Sequence, residues 1–149
     1  MTRVQVETDI TAPVKEVWDT IMDPTRLGDW VTIHRGVSEI SADPQTRGAT
    51  MKQVLTLRGV PFKVHWTLVD VTSPTSARWE GRGPAHSAAF IHYELSGDGD
   101  GPTHFTYTNE FKTPGGMLGN VASRVMVGGV SEREAKHSLE RLKQLLEHH

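Results

Sequence analysis

Residues 11–30 read TAPVKEVWDTIMDPTRLGDW, directly after the alternating run VQVETDI of residues 4–10. Alternation over residues 3–10 predicts a strand, because side chains of a strand point to opposite faces in turn. Val14, Val17, Trp18 and Ile21 then follow the spacing of one helical face. Pro13 suits the first turn of that helix, where a missing N–H is no loss. Asp23 is placed to cap a second, short helix with Pro24 at its first position, and Leu27 and Trp30 give that helix an inward face. A strand followed by two short helices meeting at a corner is the expected start of the fold. The three aspartates of the stretch read as caps and solvated positions, since Asp19 lies off the apolar face and Asp23 precedes proline.

Working outward, strands come next. TMKQVLTLR (50–58) puts Met51, Gln53, Leu55 and Leu57 on one face. After the turn at Gly59–Pro61, FKVHWTLVDV (62–71) sets Phe62, Val64, Trp66 and Leu68 against Lys63, His65, Thr67 and Val69. Trp79 marks a short strand over 77–81. SAAFIHYEL (87–95) and HFTYTNEF (104–111) flank the loop SGDGDGPT and place Ala89, Ile91, Tyr93 and Leu95, then Phe105, Tyr107, Asn109 and Phe111, on common faces. One apolar face and one wetter face imply an antiparallel sheet covered on one side.

The last third is helical. Leu118, Val121, Val125, Gly128, Gly129, Ala135, Leu139, Leu142 and Leu145/Leu146 form a stripe at helical period. Ser131 and Glu134 have capping-box spacing. The stripe keeps its phase across Gly128–Gly129, so one long helix kinked near 128–131 is the preferred reading over a full break. The helix stripe and the sheet face must cover each other, which makes the chain a single α+β domain over residues 1–145. The terminal LEHH (146–149) reads as the remnant of an expression tag.

Bulk properties exclude several classes. The chain has 149 residues, 36% of them apolar, and a formal net charge of −2, so no excess of positive charge points to nucleic acid. No apolar run reaches the ~18–20 residues of a membrane span, and the first residues show no export signal, which makes the cytoplasm the expected location. There is no cysteine, which removes disulfides, thiolate metal sites and cysteine nucleophiles. His86 and His92 lie too far apart on one strand to share a metal. His104 is placed to approach His92 or Glu94 as a surface pair. GDGDG (97–101) resembles the start of a calcium loop but carries Asn109 where the twelfth-position glutamate belongs. PGGMLGN (114–120) lacks a phosphate loop's lysine. No metal or cofactor is expected.

The A-P-x-x-x-V-W run at Ala12–Trp18, the D-P-x-x-L-x-x-W run at Asp23–Trp30 and the closing LERLKQLLE resemble the polyketide cyclase/dehydrase-like group of the START and birch-pollen-allergen (SRPBCC) superfamily. That resemblance implies a helix-grip fold: a curved antiparallel sheet of six or seven strands around the long carboxy-terminal helix, with a cavity between them. It places the two short helices as a plug at one end and Trp30 near the cavity rim. It leaves function open among carriers, cyclases and chaperone co-factors.

The inner face combines large apolar residues, among them Leu55, Trp66 and Trp79, with Gln53, Tyr93, Tyr107 and Asn109. An apolar wall with few directional polar groups is the composition of a small-molecule pocket. Gly128 and Gly129 on the helix stripe, beside Val121 and Val125, either make room for a guest or serve as a hinge. Glu80, Glu94 and Glu110 fall on the opposite parity, so no interior general base is expected unless a bulge swaps the faces. The expected function is binding or transport of a small, largely hydrophobic molecule, lipid, isoprenoid or polyketide-like, by a monomer or weak homodimer. The alternatives are a polyketide-type cyclase or dehydratase using the same cavity, and a chaperone co-factor acting through its outer face.

Overall fold

In the computed structural model, residues 2–112 and 130–147 are described. Strand β1 (Thr2–Ile10) leads into helix α1 (Val14–Ile21), a 3-10 turn (Pro24–Arg26) and helix α2 (Leu27–Trp30). Strands β2 (His34–Ser38), β3 (Thr50–Leu57), β4 (Val60–Thr72), β5 (Ser76–Arg82), β6 (Ala88–Gly97) and β7 (Thr103–Lys112) follow, and helix α3 (Glu132–Glu147) ends the described chain. The sheet is seven-stranded and antiparallel in the order β1-β7-β6-β5-β4-β3-β2. Closing β1 onto β7 lets consecutive hairpins wind into a half-barrel.

The opening stretch behaves as its spacing indicated. Val17, Trp18 and Ile21 are buried on one face of α1. Asp23 Oδ1 accepts from the Thr25 amide at 3.0 Å and its hydroxyl at 2.6 Å, capping the turn that Pro24 begins. Asp19 pairs with Lys15 at 2.6 Å, and Asp29 with Arg26 at 3.2 Å, both on the surface. Asp23 thus caps the turn, while Asp19 and Asp29 lie in exposed ion pairs.

Strand β2 is the element that the periodicity did not reveal. It is five residues long, contains Gly36, and a bulge shifts its register between His34 and Gly36. A second bulge lies in the β4–β5 pair at Leu68/Asp70. The β5–β6 and β6–β7 ladders run without a shift, so the parity of Ile91, Tyr93, Tyr107 and Asn109 is kept.

Helix α3 buries Ala135, Ser138, Leu139, Leu142 and Leu146 and packs on β1 and α2. Two polar clasps fix it. Thr32, between α2 and β2, donates its amide to Ser138 Oγ at 3.1 Å and its hydroxyl to the Glu134 carboxylate. At the far end, Glu147 accepts from the Thr11 amide at 2.8 Å, while Lys143 reaches the Asp9 carbonyl and Glu147. The capping box at Ser131 is half used: Ser131 Oγ accepts from the Glu134 amide, but the Glu134 carboxylate turns to Thr32 instead. The domain limit expected after residue 145 falls inside this helix, since Leu146 is buried and Glu147 is bonded to Thr11. Whether the helix continues across Gly128–Gly129 lies outside the described residues.

Candidate functional site

Between the concave sheet face and the helical corner lies a cavity of ≈ 70 Å³. Its sheet wall includes Gln53, Leu55, Trp66, Trp79, Tyr93, Tyr107 and Asn109, all from the expected inner face. The sequence assigned the opposite wall to the last helix and did not foresee the corner's share in it. Among the described residues the corner supplies Ile21, Met22, Pro24, Leu27, Val31 and Ile33, and Val130 joins them from just before α3. The D-P-x-x-L spacing of Asp23–Leu27 carried that signal, since Pro24 and Leu27 turn inward together. Val121, Val125, Gly128 and Gly129, expected to face the cavity from the last helix, lie outside the described residues.

Trp30 is a correction. It does not sit at the rim but is fully buried against Tyr93, Phe105 and Tyr107, with ring centroids 5.7 to 6.3 Å away. Tyr93 and Tyr107 face each other across β6–β7 with centroids 5.7 Å apart. Edge-on and tilted rings at such distances attract through their quadrupoles. The four rings form a rigid block, and its two tyrosines are the part that lines the cavity. Burial pushes the Tyr93 phenol well above its ordinary pKa and raises that of Tyr107, so both stay protonated near neutrality.

Gln53 is held by the protein itself. Trp66 Nε1 donates to Gln53 Oε1 at 2.9 Å, and Gln53 Nε2 lies 2.9 Å from His34 Nδ1. His34 was not singled out in the sequence, because nothing local to β2 shows that it meets β3 through an amide. Asn109 differs: its Nδ2 is buried and has no hydrogen-bond partner among the described residues. The Asn109 side chain also interacts with the Tyr107 phenol closely enough to oppose the upward shift there, although Nδ2 itself has no partner at hydrogen-bond geometry among the described residues.

Ionisable groups are sparse around the cavity. Of the carboxylates, Glu110 alone among the described residues lines it, despite its outward parity. Its side chain is ion-paired with Arg3 Nε at 3.3 Å. Glu80 and Glu94 do not line the cavity. The histidines lie elsewhere. His104 meets Asp9 and Glu7 of β1, not His92 or Glu94, because β7 is flanked by β1 as well as β6 and Asp9 is its register partner. His92 instead contacts Glu94 and Ser76. Among the described residues no group of three or more potential ligands could hold a metal ion. No helix described is long and apolar enough to cross a membrane.

Residues 1–147 match the family described as "Polyketide cyclase / dehydrase and lipid transport". The chain belongs to that family. A Mycobacterium tuberculosis protein named as a toxin is 25% identical over 83 residues, covering 56% of this chain and 58% of that protein, so this chain spans little more than half the length of that relative. An uncharacterized protein of the same organism is 26% identical over 156 residues, covering 99% and 98% of the two chains. Among solved structures, the Zhui aromatase/cyclase from Streptomyces sp. R1128 superposes with a TM-score of 0.77 at 18% identity, over 97% of this chain and 93% of that one. At that identity the likeness establishes the fold, and it is the helix-grip arrangement seen here. For this polyketide cyclase/dehydrase family member, the cavity between sheet and helices is the candidate site.

Proposed function

We propose that this protein binds a small, largely apolar molecule in the cavity between the concave sheet and the α1–α2 corner. The observation that carries the reading is the composition of the wall. It is mostly aliphatic and aromatic, interrupted by Gln53, Ser87 and Glu110 and by Tyr93, Tyr107 and Asn109, the last three clustered on β6 and β7. An apolar enclosure with a few convergent polar groups is what a small-molecule site requires. Family membership agrees with a ligand-binding or cyclase role.

The cavity of ≈ 70 Å³ is narrow beside the roughly 300–1,000 Å³ of occupied drug-sized sites. A guest larger than a few water molecules therefore needs the walls to part.

Native mass spectrometry of the purified protein, followed by thermal shift against isoprenoid, fatty-acyl, quinone and aromatic polyketide panels, tests the proposal. A ligand at 100 times its Kd adds about 2.7 kcal/mol of stability. Absence of any co-purified molecule together with no stabilisation across all four panels overturns it.

A cyclase or dehydratase reading of the same site rests on Glu110, the carboxylate among the described residues that lines the cavity. A proton-transferring step there requires the Arg3 pair to open, because Arg3 Nε holds the carboxylate oxygen at 3.3 Å. Turnover of a polyketide substrate that is lost in Glu110→Gln with binding intact supports that reading. Turnover unchanged in that variant removes it.

A further inference from the structure

Three buried side-chain nitrogens have no hydrogen-bond partner among the described residues: Trp18 Nε1, Trp30 Nε1 and Asn109 Nδ2. The tryptophans do not line the cavity, whereas Asn109 does. Native structures leave very few buried donors unmet, because a donor stripped of water and given nothing in return destabilises the fold. At Trp18 and Trp30 the indole body contributes to packing whatever its N–H does. An asparagine contributes little packing on an apolar wall and is hard to account for unless its amide meets something in the cavity.

We infer that Asn109 Nδ2 is the recognition donor for a neutral acceptor oxygen on the ligand, so that the preferred guest is an apolar body carrying a carbonyl, as in a ketone, quinone or ester. The inference rests on the cavity reading above and names the ligand class for it. Asn109 sits two residues from Tyr107 on the inner face of β7 and is paired with Ile91 of β6. An oxygen lodged beside Nδ2 is therefore also within the neighbourhood of the Tyr107 phenol.

Neutrality follows from the charges. No lysine, arginine or histidine is among the described residues lining the cavity. Arg3 of β1 is ion-paired with Glu110, which lines the cavity. Among the described residues a free carboxylate entering here meets no counter-ion and joins the Glu110 carboxylate, and burying an unpaired ion is strongly unfavourable. A plain hydrocarbon leaves Nδ2 as it is.

Three single-ring probes separate these cases: acetophenone with a neutral carbonyl, ethylbenzene with none, and benzoate with a charge. Each is titrated into uniformly ¹⁵N-labelled protein, wild type and Asn109→Leu, and followed by amide and indole resonances. In the wild type, acetophenone is expected to move the Asn109 side-chain NH₂ signals downfield while ethylbenzene leaves them in place. In Asn109→Leu, the acetophenone Kd rises roughly tenfold, the scale of one lost buried hydrogen bond, with the ethylbenzene Kd unchanged or lower. Acetophenone binding that leaves the wild-type NH₂ signals still overturns the inference without need of the variant, as does an unaltered Kd in Asn109→Leu. Benzoate binding tighter than acetophenone overturns its neutral character. Failure of all three probes to perturb cavity residues overturns the inference, and the binding reading itself is then decided by the four ligand panels above.

Discussion

Trp66 Nε1 donates to Gln53 Oε1 at 2.9 Å across the β3–β4 hairpin, and that single bond sets the orientation of a polar chain in the cavity wall. An indole N–H can only donate, so the Gln53 oxygen must face Trp66 and its NH₂ must face His34. The 2.9 Å contact between Gln53 Nε2 and His34 Nδ1 then requires an unprotonated Nδ1. A residue that cannot change its role thus fixes an amide orientation, and through it a histidine tautomer, on a strand two places away.

Gln53→Leu keeps the approximate volume but removes the acceptor for Trp66. A buried donor left unmet costs about 1–3 kcal/mol, and urea unfolding should show a loss in that range. Trp66→Phe in the Gln53→Leu background is expected to cost less than the two single losses combined, because the second change removes the orphan created by the first. Additive losses would mean that the hydrogen bond contributes nothing beyond packing.

His34 titrates against folding. Burial lowers its pKa below the ordinary 6.5, so the unfolded chain takes up the proton first as pH falls. The stability this histidine confers is present above 6.5 and is lost as pH drops through its lowered folded value. Protonation also places an N–H on Nδ1 opposite the Gln53 NH₂, so the loss is transmitted to the cavity wall. Imidazole NMR should show a neutral ring protonated at Nε2 and a midpoint below 6.5; a midpoint at or above that value would contradict the chain of donors described here.

His104 has the opposite sign. Its hydrogen bond to Asp9 at 2.7 Å, joined by the negative charge of Glu7, raises its pKa above 6.5. Its contribution is complete below 6.5 and fades as pH rises through the raised value. His104→Asn should therefore weaken the protein more at pH 5.5 than at pH 8.5. Because the imidazole is more than a third exposed, the effect is modest and shrinks with added salt. An equal loss at both pH values would assign His104 a purely steric place on β7.

How much of this was legible in sequence depends on how local the determinant is. The α1–α2 corner was, because caps, prolines and an apolar face at helical spacing all act within a few residues. The inner faces of β6 and β7 were, because period two survives in ladders without bulges. Strand β2 was not, since Gly36 and a register shift interrupt its alternation. Trp30 was misplaced because its burial depends on rings contributed by residues 93, 105 and 107, a juxtaposition made by tertiary structure alone. Glu110 shows the limit of parity: near the end of β7 a side chain of the outer set also lines the cavity.

Gly81 provides the sharpest test of how tightly the wall around Trp66 is built. It is the register partner of Trp66 across β4–β5. A Cβ added at Gly81 would lie 2.7 Å from Trp66 Cε3 and Cζ3 and 2.7 Å from Val64 Cγ1. None of these atoms is the loose end of a long side chain. The indole cannot swing aside without stretching its bond to Gln53, and Val64 is a β-branched residue with little rotamer freedom. Overpacking of this kind costs about 1–3 kcal/mol. Gly81→Ala is expected to lose that much in urea unfolding and to shift the Trp66 indole N–H resonance, since the ring must move against its acceptor. A variant with wild-type stability and an unmoved indole signal would show that β4 and β5 can part at this point, leaving Trp66 free to yield to a guest.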